Sequence, residues 1–141
     1  MKASVTLRDG VCFEGRTDSG HTLVMDGAPE QGGQNNGPRP MEMLLLGLGG
    51  CTAFDVVTIL RRGRQQVSDC QVEISAQRAP EDPKVFTEIT LHYRLFGTVL
   101  SSKRVAKAIE LSAKKYCSAS IMLGKTAIIR HDFEIIERGT S

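Results

Sequence analysis

The sequence predicts an α+β domain. Three observations carry that reading: apolar residues alternate with polar ones over the first 25 positions and again between 72 and 95; a long apolar helical stretch lies between them; and an amphipathic helical pattern from Ser101 gives way to a last alternating segment. The expected order is βββ-α-ββ-α-α-β, with no internal repeat, and the length of 141 residues predicts one domain spanning 1–141. Hydrophobic content of 40% and charged content of 24% exclude a disordered or fibrous chain, and with no Trp the core must be built from aliphatic side chains.

Taken in order, Ala3, Val5 and Leu7 alternate, Asp9-Gly10 is a hairpin turn signal, and Val11 and Phe13 continue the apolar face. After Asp18-Ser19-Gly20 a third strand is expected over His21 to Met25, completing a meander. Residues 27–39, GAPEQGGQNNGPR, have little apolar content to anchor them and predict a mobile or partner-docked loop. Pro40 suits the first turn of a helix and Glu42 suits its positive dipole end; the helix should run to about Arg62, with the RRGR cluster of Arg61, Arg62 and Arg64 favouring its negative end. Val72, Ile74 and Ala76 then alternate, the turn Pro80-Glu81-Asp82-Pro83 intervenes, and Ile89, Leu91, Tyr93 and Leu95 complete a long hairpin. From Ser101 to Cys117, Val105, Ala108, Ile109, Ser112 and Tyr116 recur at helical spacing, with lysines and Arg104 on the other faces. Ser118 is placed to cap a short helix ending at Gly124, and Ile129, Phe133 and Ile135 mark the last strand.

The central stretch from Met43 to Leu60 carries one charge, Asp55. Its length approaches the minimum of about 18 residues for a membrane span, but Gly47, Gly49 and Gly50 weaken an isolated helix, Asp55 is costly in lipid, and amphipathic strands flank it on both sides. A helix apolar on every side must be enclosed by protein, and six strands of a small monomer cannot do so. A homodimer in which two such helices meet, their glycines allowing close approach, is the expectation, and no membrane partner is.

Charge and motifs exclude several functions. The net charge of +2 has no basic run interleaved with aromatics, so nucleic acid is not an expected partner. The segment GLGGCT places Thr52 where a dinucleotide fingerprint needs glycine, and no cofactor motif is found. Cys12, Cys51, Cys70 and Cys117 are spread without CxxC or Cys/His spacing, which argues against structural zinc and a secreted disulfide framework. The opening MKASVTLRDG lacks an apolar signal region, so a reducing cytoplasm is expected. His21, His92 and His131 read as surface or sheet-face residues.

The chemistry left open is that of thiols. A thiolate at Cys51 could attack the O–O bond of a peroxide, and a second thiol at Cys117 could condense with the resulting sulfenic acid; equally, each could be a buried structural cysteine. Cys12 and Cys70, on strands, read as structural. Asp55 stands four residues after Cys51 on the same helix face, where an unpaired carboxylate would raise the thiol pKa. Either a cation from Arg8, Arg16 or Arg39 must offset it, or Asp55 must have its own partner.

The segments GPRPMEMLLLGLGGCTAFDVV and KKYCSASIMLGK together resemble the two cysteine segments of the OsmC/Ohr family, the osmotically inducible and organic hydroperoxide resistance proteins, and the element order matches over nearly the whole chain. The resemblance implies an OsmC-like fold in an intertwined homodimer. It also implies a peroxidase of organic hydroperoxides with Cys51 as peroxidatic and Cys117 as resolving thiol, recycled by dithiol reductants, lipoyl groups among them. Peroxidase members carry an acidic residue directly after the proline, whereas here Met41 intervenes between Pro40 and Glu42. Glu42 either replaces that catalytic carboxylate or complements the helix dipole, and the family's arginine is not placed among Arg8, Arg16 and Arg39. The alternative is a non-catalytic OsmC-like protein that binds a hydrophobic small molecule in its dimer cleft.

Overall fold

The computed structural model describes residues 1–139, which form two compact units, Met1–Leu46 and the chain from Gly47 onward. In the first, β1 (Ala3–Asp9), β2 (Cys12–Thr17) and β3 (Thr22–Met25) make an antiparallel meander in the order β1-β2-β3. Gly10 and Gly20 take φ of 55° and 93° at the two turns, a left-handed conformation that L side chains rarely adopt.

The loop that follows is built, not unanchored, which corrects the expectation for residues 27–39. Asp26, 2% exposed, places its carboxylate to accept the backbone N–H groups of Gly27 at 2.7 Å and of Gln34 and Asn36 at 3.1 Å each. One side chain thereby satisfies three donors of a segment that has no ladder of its own. A single 3-10 turn, Pro29–Gln31, ends at Gly32 with φ 90°.

Helix α1 (Pro40–Arg62) begins in the first unit and continues into the second. It starts at the proline that the sequence marks, and Arg61 and Arg62 occupy its last turn. Its buried residues are Leu48, Gly49, Thr52, Val56 and Leu60, a stripe repeating every four positions, while Leu46 and Phe54 are 60% and 72% exposed. Within the chain the helix is therefore covered along one side only. It is long and apolar enough to cross a bilayer by length and composition, but this stripe is buried within the protein.

The second unit holds a three-stranded sheet, β4 (Gln66–Arg78), β5 (Phe86–Thr98) and β6 (Ile128–Glu137), with β5 in the middle. Val72, Ile74 and Ala76 pair with Tyr93, Leu91 and Ile89, and these β5 residues lie beside Phe133, His131 and Ile129 of the parallel strand β6. The alternating residues therefore fall in register on one face. Ile89, Leu91, Tyr93 and Leu95 are at most 2% exposed, and Val105, Ala108 and Ile109 of α2 (Ser102–Leu111) join them in the core. The opposite face carries cross-strand charge pairs, His92 with Asp132 at 2.6 Å and Arg94 with Glu134 at 2.7 Å. The bond to Asp132 raises the His92 pKa.

One expectation is corrected here. The helix predicted from Ser101 to Cys117 ends at Leu111; residues Ser112–Tyr116 form a π turn, and α3 spans Ser118–Leu123 with Cys117, not Ser118, as its N-cap. The three glycines of α1 do not act alike: a Cβ at Gly49 would lie 2.7 Å from Ile74 Cδ1, so this glycine lets the helix approach β4, whereas Gly47 and Gly50 face open space.

The three N–H bonds to Asp26 hold its pKa below the ordinary carboxylate value despite burial. A depressed folded-state pKa contributes stability that is present above the unfolded value of about 3.9 and is lost as pH falls through the lower folded value. Urea midpoints measured from pH 6 to pH 2 should therefore fall less steeply for Asp26→Asn than for the wild type, from a lower starting point at pH 6; equal slopes would contradict the account.

Candidate functional site

The site grows from one misfit in the apolar stripe of α1. Thr52 is fully buried between Leu48 and Val56, and a buried hydroxyl without a partner is costly. Its Oγ1 lies 2.7 Å from Tyr93 Oη on β5 and 2.8 Å from Ser112 Oγ at the start of the π turn. Ser112 Oγ in turn donates to Asp55 Oδ2 at 3.1 Å. The carboxylate only accepts, and this orders the chain: Ser112 spends its proton on Asp55, so it accepts from Thr52, and Thr52 accepts from Tyr93. Burial pushes the Tyr93 phenol up to about 12, which keeps it a donor.

The π turn explains how Cys117 reaches this place. In an α-helix Ser112 would share its face with Tyr116, four residues on. Here the Cys117 N–H bonds Ser112 O at 2.8 Å, an i to i+5 closure that aligns Ser112 with Cys117 and leaves Tyr116 51% exposed. Cys117 then leaves the helical conformation, with ψ 100°, and its sulfur accepts the Ser120 N–H at 3.3 Å as the cap of α3.

Cys51 and Asp55, one turn apart on α1, meet Cys117 here: the two sulfurs and a carboxylate oxygen of Asp55 all lie within 4.8 Å of one another. The thiols differ in burial. Cys117 is fully buried, and desolvation holds its pKa above the ordinary thiol value, partly offset by the bonds from Ser120. Cys51 is half-buried. The other two cysteines sit in suppressing surroundings: burial, with Asp69 adjacent, pushes Cys70 to about 11, and burial together with Asp26 and Asp9 raises Cys12. Beside the cluster a cleft of about 340 Å³ is lined by Phe54, Asp55, Ile59, Arg62, Leu111 and Tyr116, apolar walls with one acid and one base.

Glu42 and the three arginines belong to the first unit, and each is engaged there. The Glu42 carboxylate accepts the Arg39 N–H at 2.8 Å, closing the start of α1 in the manner of a capping box. Arg8 and Arg16 pair with Glu14, and Arg39 donates to Asn35 Oδ1 at 2.8 Å and Gly37 O at 3.2 Å. Of the two readings of Glu42, the helix-end role is the one with a contact. Asp55 has its own partner, a hydroxyl and not a cation.

Sequence reasoning missed Thr52, Tyr93 and Ser112. Ser112 recurs in step with the apolar positions of a helical pattern, and Thr52 lies within an apolar run. The available signal was a polar residue at a stripe position in each of two helices, which demands a partner. Thr52→Val keeps the shape and removes the hydroxyl that Tyr93 and Ser112 share, so it should destabilise the protein by about 1–3 kcal/mol in urea unfolding, and Tyr93→Phe by about 1 kcal/mol. A Thr52→Val variant as stable as the wild type would contradict the ordered chain.

Comparison with known proteins shows the family of this chain. The family model described as "OsmC-like protein" matches residues 33–132. Protein YhfA of Escherichia coli strain K12 is 44% identical over 136 residues, which cover 96% of this chain and 98% of that protein. Among solved structures, a hypothetical protein from Aquifex aeolicus VF5 aligns over 98% of this chain and 97% of its own with a TM-score of 0.86 at 27% identity. A Legionella pneumophila structure described as an organic hydroperoxide resistance protein OsmC aligns over 94% and 95% with a TM-score of 0.72; at 15% identity it shares the fold. The chain belongs to the OsmC-like family.

Proposed function

We propose that the protein is a thiol peroxidase that reduces organic hydroperoxides through Cys51 and Cys117. The observation that carries the reading is the meeting of a half-buried and a fully buried cysteine, their sulfurs within 4.8 Å, from positions 66 residues apart in the chain. The name of the Legionella pneumophila relative, an organic hydroperoxide resistance protein, points to the same chemistry.

In this mechanism the Cys51 thiolate attacks the outer oxygen of the hydroperoxide. The O–O bond breaks, the sulfur becomes a sulfenic acid, and the other oxygen leaves as an alcohol after taking a proton. The Cys117 thiol then attacks the sulfenic sulfur, forming the disulfide and releasing water. An external dithiol, of which a lipoyl group is one example, restores both thiols by exchange and is itself oxidised to a disulfide. Burial divides the roles: Cys51 meets the substrate, and Cys117, sheltered with a raised pKa, waits for the sulfenic acid. The cleft beside Asp55, walled by Phe54, Ile59, Leu111 and Tyr116, suits the organic group of such a peroxide. The reducing state of a cytoplasm suits the cycle.

The same proposal includes a homodimer. Val5, Leu7, Leu46 and Phe54 are 56–72% exposed, large apolar side chains that the chain itself leaves uncovered and that a second copy would cover. Light scattering should give twice the chain mass, and charged substitutions at Leu46 and Phe54 should shift it toward the monomer. After one equivalent of cumene hydroperoxide, peptide mapping should show a Cys51 to Cys117 disulfide. Cys51→Ser should reduce peroxide consumption to the background of free thiol, and Cys117→Ser should stop after one turnover with a trapped sulfenic acid. Full activity of Cys51→Ser would overturn the proposal.

A further inference from the structure

The cluster of Cys51, Asp55 and Cys117 has the composition of a soft-metal site as well as of a redox pair. Their three donor atoms lie within 4.8 Å of one another. A tetrahedral ion with metal–sulfur bonds of about 2.3 Å and metal–oxygen bonds of about 2.0 Å separates its ligand atoms by roughly 3.5–3.8 Å, so small side-chain rotations suffice to close the set. Three ligands leave a fourth position for water. The dispersed cysteines that argued against zinc describe sequence spacing alone; the π turn supplies Cys117 from a different element.

Two further observations favour a cation here. Metal-ligating groups are held by outer partners, and the Asp55 carboxylate is already fixed by Ser112, which is bound to Thr52 and through it to Tyr93. Among the described residues, moreover, Asp55 takes part in no ion pair, and the Ser120 N–H bonded to Cys117 Sγ eases negative charge on that sulfur. Two sulfurs and one oxygen select zinc or cadmium over magnesium or calcium.

We propose that the reduced protein binds one thiophilic divalent cation, of the zinc and cadmium class, through Cys51 Sγ, Cys117 Sγ and an Asp55 carboxylate oxygen, and that this occupancy and the Cys51–Cys117 disulfide exclude each other. Binding displaces the thiol protons, so affinity rises with pH. Only the competition with oxidation rests on the peroxidase reading; metal binding does not.

The test uses the full chain with Cys12→Ser and Cys70→Ser, titrated with cadmium under reducing conditions without a metal-binding buffer. It is read by sulfur-to-cadmium charge-transfer absorption and by native mass spectrometry, whose charge states also report folding. One cadmium per chain is expected. Cys51→Ser and Cys117→Ser should each lower affinity by more than about 100-fold, and the isosteric Asp55→Asn by about 10-fold. No bound cadmium, or binding unchanged by Cys117→Ser or by Asp55→Asn, overturns the site. Hydroperoxide that still forms the disulfide in a protein unable to bind cadmium would leave the peroxidase reading standing alone. Cadmium bound with thiols inert to hydroperoxide would keep the site and remove the peroxidase.

Discussion

A single buried hydroxyl governs the second unit. Thr52 occupies a stripe of α1 otherwise made of Leu48, Val56 and Leu60, and such a group persists only if its hydrogen bonds are met inside the protein. Tyr93 and Ser112 meet them, at 2.7 and 2.8 Å, and in doing so fix α1 against the central strand and the π turn at one point. The chain ends on Asp55, whose carboxylate gives it a direction. The close fit of Gly49 against Ile74 and the polar chain at Thr52 together specify one register of α1 on the sheet.

That register places the thiols. Cys51 is fixed by its position one turn before Asp55, and Cys117 by the i to i+5 closure onto Ser112. An uninterrupted α-helix would have turned Tyr116 inward and carried Cys117 away. The irregular turn is thus the device that assembles the cluster, in keeping with the frequent appearance of π turns at functional sites. The burial that orders the cluster also distinguishes the two cysteines, one half-buried and one fully buried with a raised pKa.

Much of the fold was legible in the sequence, because period-two patterns report strands faithfully when one face is buried. Val72, Ile74 and Ala76 were read as one strand face and Ile89, Leu91 and Tyr93 as another, and they pair directly. Pro40 marked the start of α1 and Gly124 the end of α3. Two things escaped for physical reasons. A π turn leaves no periodic trace, since one displaced residue in a helical pattern still looks helical, and so Ser101 to Cys117 read as one helix. Residues 27–39 looked unanchored because their anchor, Asp26, lies just outside them and works through a carboxylate rather than through apolar packing. Of the site, Cys51, Asp55 and Cys117 were visible as residue types, but the hydroxyls that organise them were not, since Thr52 and Ser112 are small enough to pass for apolar positions.

The hydrogen-bonded frame holds Cys51 and Cys117 close enough to act as the redox pair proposed above. The most direct measurement is a crystal structure of the protein after treatment with an organic hydroperoxide. Continuous density between the two sulfurs is expected, with Thr52 still bonded to Tyr93 and Ser112. Separate, unmodified sulfurs at Cys51 and Cys117, or oxidation confined to Cys12 or Cys70, would contradict it.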